Sequence, residues 1–70
     1  MAEMTLEELH RHMVETQVEN LEFYVGKYAL LAEVCRSMGH GPLADLCDEM
    51  KRNTEGVLVK TRDLLAPGAN

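Results

Sequence analysis

The feature that most constrains this 70-residue chain is a short breaker cluster, Gly39-His40-Gly41-Pro42, whose proline is the only one before Pro67. Glycine takes the left-handed conformation that closes a helix, and proline fits the first turn of the next one, where its missing N–H costs no hydrogen bond. One stop-and-restart signal between two long stretches without proline reads as two helices and a tight turn. The expected elements are helix 1 over about residues 5–38, a turn at 39–41, helix 2 over about 42–65, and a flexible tail at 66–70 containing Pro67-Gly68.

The start of helix 1 is marked by Thr5-Leu6-Glu7-Glu8. This is a capping box, in which the Thr5 hydroxyl accepts from the Glu8 N–H and the Glu8 carboxylate reaches back to Thr5, with Met4 and Leu9 placed to form a hydrophobic staple. The interior glycine Gly26 costs about 1 kcal/mol relative to alanine, too little to break a long helix. Together with Gly56 it falls away from the facing stripes and reads as a tolerated surface position.

Helix 2 carries an apolar stripe at Leu43, Cys47, Met50, Thr54, Val57, Thr61 and Leu64, joined by Leu46, Leu58 and Leu65. Helix 1 answers with Val14, Val18, Leu21, Val25, Tyr28, Ala32 and Cys35, and so short a connection makes the two helices antiparallel neighbours. The fold class expected is therefore all-α, an antiparallel helical hairpin forming a single domain over residues 1–70.

One hairpin has only one inside, and the sequence carries more apolar surface than that inside holds. Between Leu21 and Met38 the apolar residues of helix 1 spread over an arc of roughly 220° at 100° per residue. Helix 2 covers only part of it, leaving a patch centred on Phe23, Leu30, Leu31 and Val34. Patches of this kind mark association surfaces, so self-association of two hairpins into a four-helix bundle is the expectation. A 70-residue domain buries only about 60% of its unfolded surface, which also favours a homodimer. Helix 1 is longer than helix 2, and its overhanging first turns place Leu6, Leu9 and Met13 among Glu3, Glu7, Glu8, Arg11, His12 and Glu15. That overhang suits a groove on the second protomer or on a different protein.

Chemistry-bearing residues gather at the turn. Cys35-Arg-Ser-Met38 and Cys47-Asp-Glu-Met50 are two helical neighbour pairs with His40 between them, a donor set that suits Cu(I). The same side chains serve equally as small and adaptable core fillers, which is the simpler expectation, with no metal and no cofactor. A Cys35–Cys47 disulfide across the turn is strained unless both β-carbons point inward. Glu7-x-x-His10 matches half of a carboxylate-bundle ligand pattern but falls on an exposed turn with no acid on the helix 2 stripe to complete it. No nucleophile elbow, phosphate loop or carboxylate pair is present, so an enzyme is not expected.

With 12 acidic against 7 basic residues and a net charge of −5, the chain has no basic stripe for a phosphate backbone, and nucleic acid is not an expected partner. No apolar run nears the roughly 20 residues needed to span a bilayer, and the acidic amphipathic start does not resemble a signal peptide. The expectation is a cytoplasmic protein with reduced thiols and no membrane partner. The leading function is a small acidic interaction module that self-associates and modulates another protein. A Cu(I)-binding or thiol-based sensor, and a structural subunit of a larger assembly, are the alternatives.

Overall fold

Helix formation starts at Thr5, whose backbone is extended and whose hydroxyl accepts the Glu8 N–H at 3.1 Å. Its carbonyl accepts from Leu9 at 2.9 Å, closing the first turn. The reciprocal bond from the Glu8 carboxylate to the Thr5 N–H is not made, so half of the capping box forms. The computed structural model describes residues 3–65, and they form a hairpin of two helices, α1 over Leu6–Ser37 and α2 over Gly41–Asp63. All regular structure among the described residues is helical. The tail expected at 66–70 lies outside the described residues.

The end of α1 is built by Gly39, the one residue among those described with positive φ, at 78°. The His40 N–H donates to the Cys35 carbonyl at 2.8 Å and the Gly39 N–H to the Arg36 carbonyl at 3.1 Å. These two bonds are the pair of a Schellman motif, which satisfies carbonyls that a helix end otherwise leaves bare. His40 is then the N-cap of α2 and its carbonyl accepts from Ala44 at 3.0 Å. The connection, residues 38–40, is as long as expected but lies one residue earlier, since α1 ends at Ser37 and Gly41 is already the first residue of α2; Pro42 follows in the first turn.

The inner side of α1 is the expected one. Val14 and Ala32 are buried, and Val18, Leu21, Val25, Tyr28 and Cys35 are half-buried. Their alternating steps of four and three are the a and d positions of a heptad. The inner side of α2 differs from the expected stripe. Ala44 and Leu58 are buried, Cys47, Lys51, Thr54 and Thr61 are half-buried, and Leu43, Met50, Val57 and Leu64 are exposed. Cys47, Thr54 and Thr61 belong to both series, so α2 is turned by about 50°, half of one residue's 100° step.

Local chemistry makes this rotation workable. The Thr54 and Thr61 hydroxyls donate to the Met50 and Val57 carbonyls, each at 2.8 Å, which leaves no unpaired polar atom toward α1. Lys51, half-buried at an inner position, is a residue type whose aliphatic stem can cover apolar surface while its ammonium reaches water. Ala32 and Ala44, at 2% and 0% exposure, leave room for close approach near the turn. Among the described residues no large side chain is fully buried, and the hairpin measures 55 × 29 × 11 Å, a slab about one helix thick.

Candidate interaction surface

The heptad frame divides the hairpin into two flanks. With Ala32 of α1 and Ala44 of α2 at a positions, the e residues of both helices lie along one side of the seam and the g residues along the other. The e side is charged. Arg36 reaches Asp48, with Asp45 at 3.9 Å, and Arg62 meets Glu22 at 3.1 Å. Hydrogen bonding and charge from Asp48 hold the Arg36 guanidinium above its ordinary pKa. These pairs are largely solvent-exposed, so each adds little stability.

The g side is apolar. Tyr24, Leu31 and Met38 of α1 line it, as do Leu43, Met50, Val57 and Leu64 of α2, and all seven are exposed. Val34 and Leu46, at neighbouring c positions, widen the band at the turn end. A g flank is ordinarily charged in a two-stranded coiled coil, where it meets water. Here one side of the slab is ion-paired and the opposite side is oily.

This arrangement divides the expected self-association set. Leu31 and Val34 lie on the apolar side with the α2 residues, whereas Phe23 and Leu30 are at f positions on the back of α1, pointing away from α2. Phe23 is 65% exposed, stands edge-on to Tyr24 with ring centroids 5.8 Å apart, and has the Lys27 Nζ 5.9 Å from its centroid. Phe23 and Leu30 flank a shallow groove of about 480 Å³ floored by Gly26. The sequence reading missed Leu43, Met50 and Val57 as surface residues because it assigned them to the inside. Their full seven-residue spacing, continued by Leu64, was the available signal, since a line of period seven runs along one flank of a helix.

The overhang residues Leu6, Leu9 and Met13 are all exposed, Leu6 at 84%. Leu6 and Met13 are at c positions, on the apolar side, and Leu9 is at f. Where α2 ends, Leu64 and Leu65 face Leu6, Glu7, His10 and Arg11 across an open notch of about 380 Å³. Glu7 and His10 are both exposed there.

Of the turn cluster, Cys35 and Cys47 come together on the inner seam as half-buried free thiols. Burial pushes the Cys47 thiol pKa up, and the neighbouring Cys35 adds to the shift. Met38 and His40 are exposed, and Met50 stands on the apolar flank. Among the described residues no group of three or more His, Cys, Asp and Glu side chains is placed to hold a metal ion. Among the same residues no helix is long and apolar enough to cross a membrane.

Comparison with known proteins matches this chain to no family model, no curated protein and no solved structure.

Proposed function

We propose that this chain is a non-enzymatic interaction module that pairs with a second copy of itself, apolar side to apolar side, to make a four-helix bundle. The observation that carries the reading is the division of the slab into an ion-paired e flank and an apolar g flank. The overlap of the two helices is about 34 Å long and about 20 Å wide at 1.5 Å per residue and 10 Å per helix, roughly 700 Å². A standard interface takes about 800 Å² from each partner, so the face is of the right size. Its flatness suits an identical flat face, and pairing leaves the charged flanks outward on both sides. Leu6, Leu9 and Met13 extend apolar surface past the end of α2, and we assign them to a second, different protein that the dimer binds and modulates.

Sedimentation equilibrium of the full chain tests the pairing. A dimer at micromolar concentration is expected, with Leu31→Asp and Met50→Asp shifting it toward monomer. Phe23→Asp, on the back of α1, and Val59→Asp, at an exposed b position beside the charged e flank, are expected to leave it dimeric. A monomer at every concentration, or loss of the dimer through Phe23→Asp alone, would overturn the proposed face. In the overhang, Leu6→Asp with Leu9→Asp is expected to abolish capture of the second protein while the dimer persists.

A further inference from the structure

Cys35 and Cys47 are both d residues at the turn end of the seam, and Arg36 and Asp48, the residues immediately after them, are bonded to each other across the helices. Layering of a against d residues in the antiparallel seam sets Cys35 beside Ala44 and Cys47 beside Ala32, in neighbouring layers, where the Cys47 and Cys35 side chains are next to each other. Ala32 and Ala44 fill the adjoining inner positions and are the two most buried residues described, so no bulky side chain holds the helices apart there. Packed helix axes lie about 8–10 Å apart and each Cα is about 2.3 Å from its axis, which leaves about 3.5–5.5 Å between Cα atoms aimed directly at one another and more for those that lean aside. Disulfides span Cα separations of about 4.4–6.8 Å. The strain that burdens a bridge between helices is relieved when both β-carbons point inward, and both cysteines occupy inner d positions, where they are half-buried and free.

We propose that Cys35 and Cys47 form a dithiol oxidation site, closing to an intramolecular disulfide across the turn on reaction with a small-molecule disulfide such as oxidised glutathione. In the first exchange one cysteine, as thiolate, attacks a reagent sulfur and the reagent S–S bond breaks, giving a mixed disulfide and one released thiolate. The second cysteine then attacks the protein-side sulfur of that mixed disulfide and expels the other thiolate. Two protein thiols are oxidised, one reagent disulfide is reduced to two thiols, and the two protons lost by the cysteines end on the departing sulfurs. The inference is independent of pairing between copies, since both sulfurs belong to one chain.

The test equilibrates the full-length reduced protein in glutathione buffers of graded ratio, traps free thiols by alkylation and weighs the products, once under native conditions and once in denaturing guanidinium. The expected product is a chain two hydrogens lighter with no glutathione attached. Its effective concentration should be about tenfold or more higher in the native than in the denatured state, because a cross-link that fits the fold is favoured by it. Equal or lower effective concentration in the native state would overturn the proposal. So would a native product dominated by glutathione adducts or by disulfides between chains.

Discussion

Gly39 and Gly26 show how differently one residue type is used within a single helix and its cap. Gly39 closes α1 at φ 78°, where a β-carbon is strained, although open space surrounds the position. Gly39→Ala is therefore expected to destabilise the hairpin by about 1–2 kcal/mol, the cost of the left-handed conformation. Chemical denaturation with circular dichroism detection reads the loss. Gly26 has no neighbour within 4 Å of where a β-carbon would stand and lies in ordinary helix. Gly26→Ala is expected to stabilise by up to about 1 kcal/mol through backbone propensity. The thiol of Cys47 supplies a pH dependence. Its folded-state pKa is raised, chiefly by burial, so just above the ordinary thiol range of about 8.5 the native state holds a proton that the unfolded state has lost. Stability attributable to this group is complete below that range and falls as pH rises through the folded-state pKa. Thermal melts of the reduced protein from neutral to alkaline pH should show the decline, and Cys47→Ser should remove its part of it.

Between the two helices, α1 was the easier to read. Its capping residue, its inner series from Val14 to Cys35 and its glycine stop are each local signals, and each operates in the structure, except that the staple pair Met4 and Leu9 remains exposed. In α2 the apolar residues run on both sides of Cys47, Thr54 and Thr61, so two rotations differing by half a residue step fit the pattern almost equally. Hydrophobicity favours the rotation that hides Leu43, Met50 and Val57. The structure adopts the other, in which Ala44 permits close approach and Arg36–Asp48 and Glu22–Arg62 form on one flank. Small-residue packing and cross-helix charge register depend on both helices at once, which a reading of one helix at a time does not contain. The surplus of apolar surface was evident from composition and phase, and Phe23, Leu30, Leu31 and Val34 are all exposed; its α2 part was not foreseen. Turning Leu43, Met50 and Val57 outward adds to the apolar back of α1 a second apolar side shared by both helices. If the e-flank pairs set the rotation, exchanging partners as Arg36→Asp with Asp48→Arg should preserve stability. Arg36→Asp alone places three acids together at positions 36, 45 and 48 and should lower it, a contrast that a double-mutant cycle of melting temperatures would measure.

Taken whole, the molecule carries a net charge of −5, so in the proposed pairing charge repulsion between two copies would oppose the attraction of their apolar sides. Salt at about 0.1 M shortens electrostatic reach to about 10 Å. Raising sodium chloride from low to moderate concentration should tighten self-association, and analytical ultracentrifugation at fixed protein concentration would show the dimer fraction rising. A fall in dimer fraction with salt would instead assign the contact to attractive ion pairs. The slab dimensions of 55 × 29 × 11 Å have one more consequence. In a body a single rod deep, every peptide N–H lies within a few ångströms of bulk water, so solitary hairpins should trade their amide protons for deuterium quickly along both rods. If the proposed pairing holds, slow exchange along the seam should appear only as the protein is concentrated, and deuterium uptake followed by mass spectrometry would read how much rigidity a second copy lends.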